Sequence, residues 1–368
     1  MPRRSGVTLV EVLVAIFIMG IGLIALLTLF PLGILRMAQG IRDARTAESA
    51  YNADKIAIMQ DVRNDFMVIT DGVLPDLFAN PGIFDPVSGL PIWTADPYGE
   101  SYPIFVDPVG WFAAVNSDWV GGPGYQGVLR RRSVQFVENY GIANRDRNIR
   151  QFFTLPDEFA FEATTDFMPP FAPPAPPATP QRSGAAVLRS QRGYSWAYLL
   201  RRPQTSDRSI VDCTVVVFDR RPMALKTSQS LQEYVYPNMA FFNPDNNTIT
   251  IEYTSPTVIP PPVRPGDWLL DTTWYATGPT TGSASAFFYR VVASEDFVDT
   301  AVVPNRRFTR YEMQNPIRGP AAAPIAPGVG KYPVVVDPLN PLGFVFNGTI
   351  VVMDGVAEVY EKGPARLP

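Results

Sequence analysis

Few residues in this sequence could do chemistry. Histidine is absent, which removes Ser-His-Asp and Cys-His nucleophilic catalysis, HExxH zinc sites and most imidazole-based metal binding. The one cysteine, Cys213, permits neither an intrachain disulfide nor a CxxC site. It lies in Val211–Phe218, a run rich in β-branched residues that reads as a strand, where a thiol acts as a small buried hydrophobe. With no cysteine near the N-terminus, a lipoprotein-type lipid anchor is not expected. Asp267 and Asp271 bracket an expected strand, and a carboxylate pair could do acid–base work, but no pocket motif surrounds them. Asn243-Pro244-Asp245-Asn246-Asn247 is rich in side-chain oxygens yet lacks the carboxylate spacing of a calcium loop and reads as a turn. Arg130, Arg131, Arg132, Arg145, Arg147 and Arg150 lie among Phe136, Tyr140, Phe152 and Phe153, an arrangement able to bind single-stranded nucleic acid. Glu138, Asp146, Asp157 and Glu158 are interspersed, which favours a solvated or intersubunit face. On these residues the chain is not expected to be an enzyme. No cofactor or metal site is read, and nucleic acid is an unlikely partner.

Glu11 is different, because its surroundings are wrong for a charge. A basic stretch, Met1-Pro2-Arg3-Arg4-Ser5-Gly6, precedes it, and no charged residue follows from Val12 to Leu35. That run of ~24 residues would be ~36 Å long as a helix, enough to span a bilayer core. Arg3 and Arg4 would stay cytoplasmic, with everything after Leu35 on the far side. The run is too long for the core of an ordinary cleaved secretory signal. A carboxylate at its start costs free energy unless it snorkels into the headgroups or meets a cation.

The elements that must position Glu11 follow from the pattern around it. Beyond the apolar run, Ile41, Ala44, Ala47 and Tyr51 form one stripe at helical spacing, and Ala53, Ile56, Met59, Val62 and Phe66 form a second. Arg42, Asp43, Arg45, Glu48, Asp54, Lys55, Asp61 and Arg63 take the opposite face. The helix is expected to continue to about residue 70, ended by Gly72 and Pro75.

The string Gly6-Val7-Thr8-Leu9-Val10-Glu11-Val12-Leu13-Val14-Ala15 resembles the processing motif of type IV prepilins and type II secretion pseudopilins. Its continuation, Val12–Ile16 with Ile21-Gly22-Leu23, is most similar to the minor-pilin V and pseudopilin I branches. The resemblance covers roughly residues 1–40. It implies cleavage after Gly6 by a prepilin peptidase, methylation of the new N-terminus at Val7, and an assembly role for Glu11. Most family members have phenylalanine where this chain has Val7. Cleavage would leave an ammonium at Val7 in apolar surroundings, and Glu11 is the carboxylate in reach, on its own chain or on a neighbouring subunit. Gly20, Gly22 and Pro31 add a further likeness, since pilin helices often loosen at such positions.

The rest of the chain reads as β structure. Proline is frequent, 38 of 368 residues, roughly twice average usage, which disfavours long internal helices. Residues 76–128 are turn-rich with short strands such as Tyr102–Val106, and 129–167 include a short helix. A proline-rich stretch at 168–180 reads as a stiff exposed loop. Strands are expected at Tyr194–Arg201, Ile210–Phe218, Thr248–Tyr253, Trp268–Tyr275, Ala286–Ala293 and Tyr332–Val336. Thr349–Met353 and Val356–Tyr360 flank Asp354-Gly355, the strongest hairpin signal in the chain.

The expected fold is therefore α+β and pilin-like: a long N-terminal transmembrane and amphipathic helix, then a large, proline-rich, mainly antiparallel β domain. Its expected parts are a leader at 1–6, an assembly helix at 7–35, the amphipathic continuation at 36–70 and an extracytoplasmic domain at 71–368. The resemblance implies a structural minor pilin or pseudopilin of a type IV filament or type II secretion system. Prepilin peptidase, other pilins, and an assembly platform with its ATPase would be partners. The location would be the bacterial inner membrane, single-pass, with the N-terminus cytoplasmic before processing and the main domain periplasmic or on a surface filament. The competing reading is a permanently anchored extracytoplasmic binding or adhesion protein.

Overall fold

The structure is a computed structural model that describes residues 9–65, 68, 83–84, 91–92, 104–107, 130–138, 142–155, 159–162, 187–190, 193–201, 210–221, 233–253, 260–261, 263–278, 281–284, 286–299, 306–317, 334–337 and 340–366. Packing divides the chain into two units, Met1–Glu48 and Ser49–Pro368.

Helix α1 (Leu9–Met59) supplies the described structure of the first unit. It runs without interruption through Gly20, Gly22 and Pro31, so the loosening expected there is not found. It also stops well before the expected Gly72 and Pro75. Asp61 takes a left-handed conformation (φ 46°), and Asn64 Nδ2 donates to its carboxylate at 3.0 and 3.2 Å. An aspartate tolerates that conformation because its short side chain can bond locally. A single 3₁₀ turn, Val62–Asn64, follows.

In the second unit, α1 buries Ser49, Ala50, Ala53 and Ala57, a stripe at three- and four-residue spacing. The expected stripes were wrong in part: Ile41, Tyr51 and Met59 are exposed, while Ala53 and Val62 are buried and Phe66 lies outside the described residues. Small side chains win this face because they let the helix backbone come close to the sheet beneath it.

That sheet has five strands, in the order β18-β8-β7-β3-β4: β3 (Ile104–Val106), β4 (Arg130–Arg132), β7 (Tyr194–Arg201), β8 (Ile210–Asp219) and β18 (Val356–Arg366). All neighbours are antiparallel except β3 and β4. Side chains alternate between its faces. Ile104, Val106, Trp196, Tyr198, Leu200, Cys213, Val215 and Val217 form one core with α1 and with α3 (Ile142–Phe153), which follows the short α2 (Gln135–Glu138). Tyr198 Oη donates to the Ala53 carbonyl at 2.8 Å and accepts from Trp196 Nε1 at 2.9 Å, tying helix to sheet. The other face carries Phe105, Ala197, Leu199, Val216 and Phe218.

Against that second face lies a closed barrel. Strands β9 (Glu233–Asn243), β10 (Thr248–Tyr253), β11 (Trp268–Asp271), β14 (Phe287–Asp299), β15 (Arg306–Met313) and β17 (Asn340–Met353) run in the order β11-β14-β15-β10-β9-β17. The pairing of β11 with β17 closes the ring, and β16 (Val334–Asp337) adds to β17. Ile249, Ile251, Leu269, Tyr289, Val291, Tyr311, Ile350 and Val352 fill the interior. Trp268, Leu270, Val351 and Met353 point outward into the core shared with the five-stranded sheet. Closure leaves no ladder edge among the six ring strands. Three two-stranded ribbons complete the described β structure: β1 (Ile83–Phe84) with β2 (Pro91–Ile92), β5 (Phe159–Glu162) with β6 (Val187–Ser190), and β12 (Trp274–Gly278) with β13 (Thr281–Ala284). The mainly antiparallel β domain expected after the helix is present.

The barrel, residues 233–353, is inserted between β8 and β18, which pair with each other in the five-stranded sheet. The hairpin expected at Asp354-Gly355 is absent: β17 pairs within the barrel and β18 pairs with β8. The turn is a corner between two sheets. Gly355 has φ +77°, and a Cβ there would lie 2.7 Å from the Asp219 carbonyl oxygen. Only glycine combines that conformation with so close an approach, and its own carbonyl accepts from Asp219 N at 2.7 Å.

Candidate functional site

The first unit presents the residues of the sequence motif. Gly6 and Val7 lie outside the described residues. Glu11 stands in the first turn of α1, where a carboxylate complements the positive end of the helix dipole. Leu9, Val10, Val12, Leu13, Val14, Ile16, Phe17, Ile18 and Met19 occupy near-consecutive positions, so at about 100° per residue they go round the whole helix. Within this unit the described large apolar side chains from Leu9 to Met37 are exposed by between 46% (Val12) and 77% (Leu9). So much contiguous apolar surface is stable only when something apolar covers it. Among the described residues, no helix is long and apolar enough to cross a membrane.

The other candidate chemistry is dispersed by the fold. Asp267 precedes β11 and Asp271 ends it, roughly 13 Å apart at ~3.3 Å per residue, too far to share a proton. Asp267 accepts from Arg264 N at 2.7 Å and closes a turn. Asp271 is buried and accepts from both the backbone N (2.8 Å) and the hydroxyl of Thr273. Thr273 Oγ1 in turn accepts from Thr349 N at 3.1 Å. This network ends β11 at Asp271, so the strand expected over Trp268–Tyr275 is split in two.

The described aromatic residues of the Arg-rich region are turned into the core. Phe152 and Phe153 are buried against Tyr198, and Phe136 packs on the same core. Arg130–Arg132 form an edge strand, and Tyr140 lies outside the described residues. Asn243–Asn247 is the β9–β10 turn: Asn243 Oδ1 accepts from Asp245 N and Asn246 N at 3.1 and 3.2 Å. Asn247, at φ 54°, accepts from Ile317 N at 2.9 Å through its side chain. Cys213 is buried, and desolvation pushes its thiol up to about 12. Among the described residues, no group of three or more acidic or cysteine side chains could hold a metal ion. The proline-rich stretch at 168–180 lies outside the described residues.

The sequence reading passed over an ion pair that the fold buries. Arg221 Nη1 donates to Asp107 Oδ1 at 3.1 Å, and Nη2 donates to Oδ2. The guanidinium also lies 4.2 Å from the centre of the Phe218 ring. Nothing local marks these residues, which are 114 positions apart.

No curated protein and no solved structure matches this chain. Residues 1–27 match the family model of the prokaryotic N-terminal methylation motif, and that match supports a type IV pilin-like protein.

Proposed function

We propose that this chain is a minor pilin or pseudopilin of a type IV filament or type II secretion system. The match at residues 1–27 carries the reading, and the exposed apolar surface of α1 supports it. In this scheme the uncharged run from Val12 to Leu35 first spans the inner membrane, with Arg3 and Arg4 cytoplasmic. Prepilin peptidase cuts after Gly6, and the ammonium at Val7 is methylated. The platform and its ATPase then move the subunit into a stack of such helices, where neighbouring helices replace lipid around the apolar surface. Glu11 supplies the counter-charge for a Val7 ammonium in that dry setting. The second unit, built on the last turns of α1, is carried outside the cytoplasm.

Mass spectrometry of the mature N-terminus tests this. A chain beginning at N-methylated Val7 is expected. A chain that keeps Met1 or Pro2 would overturn the reading in favour of a permanently anchored binding protein. Quantitative mass spectrometry of purified filaments tests the minor role: another pilin should outnumber this one.

A further inference from the structure

A cleft of about 340 Å³ opens in the second unit where the inserted barrel meets the five-stranded sheet. That volume is at the small end of the range for small-molecule sites, about 300–1,000 Å³, and such sites favour junctions of this kind. Its two walls differ in chemistry. From β7, β8 and β18 come charged groups: Arg201, Asp212 and Glu361. From the barrel come aromatic groups, Trp268, Phe287 and Phe288, with the Asn315 amide at the rim. We propose that this cleft binds a neutral saccharide of one or two rings.

The charges decide the ligand class. Arg201 lies over the Phe287 ring at 4.5 Å and reaches Asp212 at 3.8 Å, so its charge is largely answered within the wall. The remaining carboxylate, Glu361, disfavours an anion. A ligand that presents hydroxyl donors to the carboxylates and an apolar face to the aromatic rings satisfies both walls. A pyranose ring does so, because its C–H groups form one face and its hydroxyls the edge. Arg201 Nη1 and Trp268 Nε1 are also buried without a hydrogen-bond acceptor. Buried donors are rarely left so, and ring or hydroxyl oxygens would supply acceptors after a small side-chain adjustment.

The test uses the full chain in a detergent without a sugar headgroup, because a maltoside would compete. Glucose, galactose, mannose, N-acetylglucosamine, maltose, lactose and cellobiose are titrated by calorimetry and by tryptophan fluorescence. At least one is expected to bind saturably at one site per chain. Glu361→Ala and Asn315→Ala, both at exposed positions, are each expected to weaken that sugar about tenfold without changing the circular dichroism. No saturable binding at millimolar sugar overturns the proposal. Binding that neither variant weakens does so too, as does saturable binding of tetramethylammonium in place of every sugar.

Discussion

Replacing Arg221 with methionine is expected to be among the most damaging single changes in the second unit. The Arg221 and Asp107 side chains are only 4% and 2% exposed. The pair joins the residue just after β3 to the second residue after β8, across the intervening β7. Removing one partner of a buried pair costs about 3–5 kcal/mol, because the other charge stays desolvated. Loss of the contact with Phe218 adds about 0.5–2 kcal/mol. Domains are stable by about 5–15 kcal/mol, so Arg221→Met should remove about a quarter or more of the total. The double variant Asp107→Leu/Arg221→Met leaves no buried charge and should cost under about 2 kcal/mol, since well-packed apolar replacements of buried pairs are often neutral. Urea unfolding of the full chain in detergent, followed by tryptophan fluorescence, measures each midpoint and slope. If Arg221→Met costs less than about 1 kcal/mol, or the double variant costs the sum of the two single ones, the reasoning is wrong.

Gly348→Ala should destabilise the barrel by about 3 kcal/mol or more, through overpacking and loss of a buried hydrogen bond. An added Cβ would lie 2.1 Å from Thr273 Oγ1 and 2.6 Å from Phe242 Cε2; an unchanged melting temperature would contradict this. Burial raises the Cys213 thiol from 9.0 to about 12, so its contribution to stability is full below pH 9 and is lost as pH rises toward 12. Tyr198, Tyr236, Tyr253 and Tyr311 are raised by burial as well. Unfolding midpoints should therefore fall on the alkaline side, and a flat profile from pH 8 to 11 would count against it. Glu11→Ala should be cleaved normally but recovered poorly in sheared filaments, as read by immunoblot. Wild-type recovery would remove Glu11 from assembly, and an uncut precursor would move its role to the peptidase.

The parts of this protein that the sequence determined alone are those that depend on near neighbours. The uncharged stretch after Glu11 reads as helix from its own residues, and α1 (Leu9–Met59) covers it. The strands expected at Thr248–Tyr253 and Tyr194–Arg201 have the bounds the structure has. Arg306–Met313, which is not among the expected strands, also carries a readable pattern, with Phe308, Tyr311 and Met313 buried. Glu233–Asn243 was hidden by Pro237, which argues against a central strand. In the structure Pro237 falls beside a register shift opposite Gly348 to Ile350, where the ladder needs no donor from it.

Tertiary structure decided the partners. Val356–Tyr360 and Thr349–Met353 have strand character whichever sheet receives them, so local sequence cannot distinguish a hairpin from a corner. The corner wins because Trp268, Leu270, Val351 and Met353 can bury their outward faces only against Leu199, Val216 and Phe218. The same holds for Ala50, Ala53 and Ala57. A stripe of alanines has little hydrophobic signal of its own, and its burial depends on how closely a sheet can approach. Asp107 and Arg221 meet only once β3, β7 and β8 lie side by side. Helical periodicity is local and can be read along the chain, whereas pairing and close packing are non-local and are settled by the whole core at once.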